Sequence, residues 1–140
     1  MSGRRVPTGG GAPRRRPAAV DPARRAAYDV LHEVGAGAGY ANLVARQVFD
    51  ERQLDTRDAA FATELVMGVF RQRGTLDAVL ATCVDRPLDK LDPRLLDVLR
   101  LGTYQLLFLG TATHAAVSTS VDLAADVCGR GPAGLTNAVL

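Results

Sequence analysis

The chain has 140 residues and a formal net charge of +2, a length that suits one domain with a substantial core. Arg4 and Arg5 precede Gly and Pro residues rather than an apolar run, so we expect no secretory signal peptide. Cys83 and Cys128 lie in apolar helical patterns without a CxxC pair or a histidine at metal-ligand spacing, so we expect reduced core thiols. These features predict a cytoplasmic protein that holds no metal.

The positive charge is concentrated at the start of the chain. Residues 1–20 contain five arginines and no acidic residue, whereas the rest contains 12 basic and 15 acidic side chains, a net charge of −3. Gly, Pro and Arg give residues 1–20 almost nothing to bury, so we expect a disordered tail. Its run Arg14, Arg15, Arg16 can bind phosphates by counterion release, and a solubilising leader is the alternative.

The first predicted helix begins at Asp21-Pro22 and ends near Val34. Its apolar residues form one stripe, and a second face carries two guanidiniums, a phenol ring and an imidazole. This combination suits phosphate contact together with base stacking, so the face is a candidate RNA-binding surface. The alternative is an ordinary solvated face in which an arginine pairs with an acid one turn away. The candidate residues are Arg24, Arg25, Tyr28 and His32.

Three further helices are predicted after it, over residues 41–52, 57–72 and 75–84. Asp55-Thr56 caps the second of these, and Gly74 is expected to break the chain between the last two. The glycine run at residues 35–39 is interpreted as a flexible turn, because no strand precedes it as a nucleotide-binding loop would require.

Residues 91–110 predict a central helix around which the others pack. Asp92-Pro93 is a helix start, and Gly102 lies in the middle of the apolar face, where a missing Cβ lets another helix approach closely. The pattern is too short and too polar to span a bilayer. We expect a core contact through Leu99, Gly102 and Leu106, and a solvated edge formed by Arg94, Asp97 and Arg100.

Two last helices complete an all-α prediction, since no alternating strand pattern occurs anywhere. One covers residues 114–127 and begins at His114, to which we assign a structural role. Residues 129–132 form a turn, and the final apolar pattern, residues 133–140, reaches Leu140 without a cap. We therefore expect the parent chain to continue.

Several stretches, in this order, resemble the NusB-like N-terminal domain of the RsmB (Sun/Fmu) family of ribosomal RNA cytosine-5 methyltransferases. The resemblance covers about residues 21–140. It rests on Ala60-Phe-Ala-Thr-Glu-Leu-Val-Met-Gly-Val-Phe-Arg71, Leu76-Asp-Ala-Val-Leu80, Leu99-Arg-Leu-Gly-Thr-Tyr-Gln-Leu-Leu-Phe-Leu109, His114-Ala-Ala-Val117 with Val121-Asp-Leu-Ala124, and Gly134-Leu-Thr-Asn-Ala-Val-Leu140.

The resemblance implies seven helices in two packed bundles that recognise RNA or protein. In NusB an arginine-rich start of the first helix binds RNA, and Arg24 and Arg25 occupy the matching place here, with residues 14–16 upstream. This chain departs from many relatives at residues 118–120, where Ser-Thr-Ser replaces an Asn-Glu pattern. The family's catalytic cysteine usually follows a proline, and neither cysteine here does, so we expect no catalytic residue in this segment.

The sequence thus predicts the RNA-binding, substrate-recognition domain of an S-adenosylmethionine-dependent 16S ribosomal RNA (cytosine-5) methyltransferase. The expected partners are ribosomal RNA and a C-terminal methyltransferase domain, which would hold the cofactor. Two alternatives remain open. One is an antitermination factor acting through RNA and a protein partner, and the other is a structural module that docks the catalytic domain.

Overall fold

The computed structural model describes residues 20–35 and 40–140, so the predicted tail, including Arg14, Arg15 and Arg16, lies outside it apart from Val20. The described residues form seven α-helices and no strand, which confirms the all-α prediction. A single 3₁₀ turn, Leu88–Lys90, precedes the fifth helix. The helices are α1 (Pro22–Val34), α2 (Ala41–Glu51), α3 (Thr56–Arg71), α4 (Arg73–Cys83), α5 (Pro93–Phe108), α6 (Thr113–Val127) and α7 (Arg130–Val139).

Three helices begin at an aspartate that caps free backbone N–H groups. The carboxylates of Asp21 and Asp92 accept hydrogen bonds from the amides of Arg24 and Arg94, at 3.0 and 2.9 Å. Each is followed by proline, whose missing N–H costs nothing in the first turn. Asp55 caps α3 in the same way, at 2.8 Å from the amide of Asp58. The predicted starts of α1, α3 and α5 are therefore confirmed.

Two predicted breaks lie inside helices instead. Gly74 is the second residue of α4, and Gly131 and Pro132 are in the first turn of α7. The first turn of a helix tolerates both residue types, because its N–H groups have no partner within the helix. Gly110 follows the end of α5 with a φ of +65°, and Gly129 precedes α7 with a φ of +102°.

The central position of α5 is confirmed, since it packs against α1, α3, α4, α6 and α7. It runs antiparallel to α1, as contacts at both ends show: Arg24 to Gln105 and His32 to Asp97. Gly102 provides the predicted close approach, because a Cβ there would lie 2.7 Å from the hydroxyl oxygen of Ser120 on α6. The residue thus sets the distance between α5 and α6.

Three predictions about burial are wrong. Leu99 is fully buried, but Leu106 lies near the end of α5 and is partly exposed. Arg100 is buried rather than solvated, because acidic side chains accompany it into the interior. Cys83 is exposed rather than in the core, since it ends α4 on the outer side. Cys128 is partly buried at the end of α6. No helix within the described ranges is long and apolar enough to cross a membrane.

Gly68 gives a direct test of the contact between α3 and α5. A Cβ at this position would lie 2.0 Å from the ring of Tyr104, so Gly68→Ala must displace that buried ring. We expect the substitution to lower the free energy of unfolding by about 1–3 kcal/mol. Gly74→Ala is the matched control, because nothing lies within 4 Å of its Cβ, and it should raise stability by up to about 1 kcal/mol. Urea unfolding that ranks the two variants in the opposite order would contradict this packing.

Candidate nucleic-acid interface

The predicted RNA-binding face of α1 is not one exposed surface. Tyr28 is only 4% exposed, so its ring offers no face to a base and the stacking prediction is wrong for this side chain. Burial raises the pKa of Tyr28 to about 12, with further contributions from the charges of Cys128 and Asp97. The ring lies inward because α5 covers that side of α1. A helical wheel of α1 alone does not contain this information.

Arg24 and Arg25 hold intramolecular partners. The Nε of Arg24 donates to the side-chain oxygen of Gln105 at 2.7 Å, and its guanidinium lies 5.0 Å from the centre of the Phe61 ring. Arg25 pairs with Asp29 on its own helix, at 3.2 Å, and with Asp126 on α6. Both guanidiniums would have to leave these partners to bind phosphate, and contact with RNA through them stays a prediction.

Among the members of the predicted set that the structure describes, His32 has the most accessible side chain, at 46%. Its ring stacks parallel to Tyr28, with centroids 5.6 Å apart and an interplanar angle of 9°. Its Nδ1 lies 3.5 Å from a carboxylate oxygen of Asp97 on α5. Two contacts from different helices therefore fix the imidazole and leave part of it accessible to a ligand.

Behind Asp97 lies a partly buried ion-pair network that joins α4 to α5, in which the Arg100 side chain is 8% exposed and that of Asp77 30%. Arg100 donates from Nε and one terminal nitrogen to the two carboxylate oxygens of Asp77, at 2.7 and 2.9 Å. Its other terminal nitrogen donates to Asp97 at 3.3 Å. Burial raises the pKa of Asp97, although the charge of Arg100 acts in the opposite direction. Asp97 and Arg100, which the sequence placed on a solvated edge of the central helix, therefore belong to this polar network instead.

A groove of about 340 Å³ lies between the start of α5 and α7, and we call it the α5–α7 groove. Its walls are mostly apolar, and two long cationic side chains stand at its edge. The negative charge of Asp92 is already engaged, since Arg94 donates to it at 2.7 Å. The lining residues are Arg86, Lys90, Leu91, Asp92, Leu95, Gly131, Pro132 and Leu135.

The carboxylate of Asp92, at the edge of this groove, is held by Arg94. The pKa of Asp92 is lowered, chiefly by the hydrogen bond from Arg94. Arg94 also donates to the carbonyl oxygen of Val127, at 3.1 Å, which joins the start of α5 to the end of α6. An apolar slot with Lys90 and Arg86 at its edge can receive a base and its neighbouring phosphates.

Sequence reasoning missed the groove. Its residues come from two parts of the chain that lie far apart in sequence. One is residues 86–95, which include the 3₁₀ turn and the start of α5, and the other is residues 131–135 of α7. Leu95 and Leu135 belong to separate apolar helical patterns, and nothing in those patterns indicated that the two residues meet. The one usable signal was the pair Arg86 and Lys90 in the linker before α5. Within residues 20–35 and 40–140, no three metal-ligating side chains come together.

The fold and the groove define an all-helical domain with a partly apolar, cation-edged slot. Residues 21–140 match the NusB family, and the chain belongs to that family. A putative methyltransferase of Mycobacterium tuberculosis is 52% identical over 128 residues, which cover 91% of this chain and 28% of that protein. A probable ribosomal RNA small subunit methyltransferase B of Synechocystis is 34% identical over 119 residues, 84% of this chain and 27% of that protein. The chain thus spans about a quarter of the length of these relatives.

Two other comparisons concern NusB itself. The transcription antitermination protein NusB of a Bradyrhizobium strain is 35% identical over 130 residues, covering 84% of this chain and 77% of that protein. Among solved structures, the complex of antitermination factors NusB and NusE with double-stranded RNA contains a chain of the same fold. Its TM-score is 0.77 at 22% identity, over 84% of this chain and 89% of that one.

The raised pKa of Asp97 predicts how its removal affects stability. Because the folded-state pKa lies above the ordinary value of 3.8, folding favours the protonated form. This contribution to stability is complete below about pH 3.8 and is lost as the pH rises through the folded-state pKa. Asp97→Asn should therefore leave stability at pH 7 unchanged or raise it by about 1 kcal/mol or less. Thermal unfolding of both proteins from pH 3 to 7 measures the effect, and a large loss of stability confined to neutral pH would contradict it.

Proposed function

We propose that this chain is the RNA-binding, substrate-recognition domain of an S-adenosylmethionine-dependent small-subunit ribosomal RNA (cytosine-5) methyltransferase. The observation that carries the proposal is the match along most of the chain to a putative methyltransferase and to a probable ribosomal RNA small subunit methyltransferase B, of which it spans about a quarter. In the proposal, methyl transfer and the cofactor belong to the remainder of the parent protein. This segment selects and holds the RNA in the cytoplasm.

The α5–α7 groove supports a single-stranded RNA ligand. Pro132 and Leu135 are partly exposed in this groove and offer apolar surface to a base, whereas Leu91 and Leu95 form its buried floor. A duplex keeps its bases stacked and paired and could not use this surface. Lys90 and Arg86 at the edge can pair with the phosphates on either side of the base. Because the described part of the chain is net acidic, affinity must come from such local placement rather than from overall charge.

The arginines upstream of the groove have a secondary place in this proposal. The run at residues 14–16 supplies positive charge close to α1 in sequence and can add sequence-independent phosphate contacts. Arg24 and Arg25 would contribute only by exchanging Gln105 and Asp126 for RNA. We therefore assign most of the selectivity to the groove and part of the affinity to these arginines.

The test is RNA binding by the groove variant Arg86→Ala/Lys90→Ala. We expect this double substitution to weaken binding of a single-stranded small-subunit ribosomal RNA fragment. The slope of log affinity against log salt should flatten by about 1.4, since each lost phosphate contact on a single strand contributes roughly 0.7. Fluorescence anisotropy at several salt concentrations measures both quantities.

The matched control carries the same loss of charge elsewhere. Arg46→Ala/Arg57→Ala removes two exposed arginines, one on α2 and one on α3, and should retain the wild-type slope to within about half a unit. A third arm, Arg24→Ala/Arg25→Ala, tests the face predicted from the sequence. If that arm loses RNA while the groove variant binds normally, the groove assignment is wrong and the α1 face is the interface.

A second candidate is an antitermination factor that acts with a protein partner. It is favoured by the NusB relative of Bradyrhizobium, of which this chain covers 77% rather than about a quarter. The two candidates differ in what the domain serves. The methyltransferase proposal predicts that deleting residues 21–140 from the parent enzyme reduces methylation of small-subunit ribosomal RNA. If the deletion instead impairs transcript elongation and leaves methylation intact, the antitermination candidate is favoured.

A further inference from the structure

Asp92 is the one acidic side chain among the described residues that line the α5–α7 groove. Its carboxylate is held by three N–H groups of Arg94. The backbone amide donates to Oδ1 at 2.9 Å, a terminal guanidinium nitrogen donates to Oδ2 at 2.7 Å, and Nε is shared between the two oxygens at 3.1 and 3.2 Å. Because the guanidinium also donates to the carbonyl oxygen of Val127, the start of α5 and the end of α6 together fix the carboxylate.

One acceptor position of this carboxylate has no donor within the described part of the chain. A carboxylate offers about four lone-pair positions, and the three N–H groups of Arg94 occupy three of them. The side chain of Asp92 is 32% exposed, so the remaining position is open to a ligand in the groove. The side-chain hydrogen bond from Arg94 also lowers the pKa of Asp92, so the carboxyl group is ionised at neutral pH and can only accept.

An ionised carboxylate distinguishes the two pyrimidine bases of RNA. Opposite such a group, cytosine presents an exocyclic amine, which donates, whereas uracil presents a carbonyl oxygen at the same ring position, which accepts. A cytosine whose amine meets Asp92 gains a charge-assisted hydrogen bond, while a uracil in the same place sets two acceptors against each other. The two bases have nearly the same size, so the apolar walls at Pro132 and Leu135 do not separate them.

We propose that Asp92 is a specificity-determining residue of the α5–α7 groove, whose open acceptor position receives the exocyclic amine of a base and makes the groove prefer cytosine to uracil. The inference rests on the proposed function and names the base that this domain selects. The acceptor is in place before RNA arrives, because Asp92 is also the N-cap of α5 and its side chain is bound to the first turn of that helix. A group that is already ordered loses little conformational freedom on binding, so its hydrogen bond contributes fully to selectivity.

The experiment compares two short fluorescein-labelled RNAs, one of uridines only and one with a single central cytidine, in binding to the 140-residue protein at neutral pH. The wild type should bind the cytidine RNA roughly fivefold to tenfold more tightly, as expected for one hydrogen bond to a charged group. Asp92→Asn keeps a capping side chain but adds donors at this position, and should reduce the preference to about twofold or less. Asp55→Asn is the matched control, because it makes the same change at the cap of α3, outside the groove, and should keep the wild-type preference.

A modified RNA keeps the test decisive even if Asp92→Asn is unstable. N4,N4-dimethylcytidine at the central position has no amine hydrogen, so the wild type should bind this RNA no more tightly than the uridine RNA. Three results would each overturn the role of Asp92 alone: equal binding of the cytidine and uridine RNAs, a preference that survives Asp92→Asn or dimethylation, and binding of only a longer ribosomal RNA fragment. No binding of any of these RNAs by the wild type would overturn the proposed function as well.

Discussion

The bidentate pair between Arg100 and Asp77 is the interaction on which the arrangement of the site depends. It is the link that fixes α4 against the central helix through a buried charge, at N–O distances of 2.7 and 2.9 Å. Replacing a buried pair with apolar groups often leaves stability unchanged, so its contribution is best understood as orientation rather than energy. With Asp77 holding two nitrogens of Arg100, the third is directed at Asp97, and Asp97 in turn meets His32. Removing one partner would leave an uncompensated charge in the core.

The helices follow from local sequence to a large extent. Asp21-Pro22 and Asp92-Pro93 determine helix starts by chemistry that acts within four residues, and the structure places both caps as predicted. Gly102 could also be predicted, because a glycine in the middle of an apolar helix face weakens the helix unless a neighbouring helix packs closely against it. The helix breaks predicted at Gly74 and Pro132 were wrong for a related reason. Both residue types interrupt a helix in its interior but are tolerated in its first turn, and the sequence alone does not show which of these positions they occupy.

The site was less predictable, because it depends on which helices pack together. Tyr28 and Arg24 look exposed on a wheel of α1, yet Tyr28 is buried, and Arg24 meets Gln105 of α5 and Phe61 of α3. Arg100 looks solvated on a wheel of α5 until α4 brings Asp77 to it. The groove itself joins residues that are distant in the chain, such as Lys90 and Leu135. Local periodicity determines how a helix is divided into faces, whereas tertiary packing decides which face remains accessible.

In the proposed function, RNA lies at a slot with local cations on a body that is otherwise acidic. The most direct test is to record amide spectra of the isotopically labelled protein while single-stranded ribosomal RNA is added, since each residue reports separately. We predict that the largest shifts fall on Arg86, Lys90, Gly131 and Leu135, around one groove formed by two separate parts of the chain. Shifts confined to the outer faces of α2 and α3, or to the first turn of α1 with the groove unaffected, would contradict this placement of the RNA.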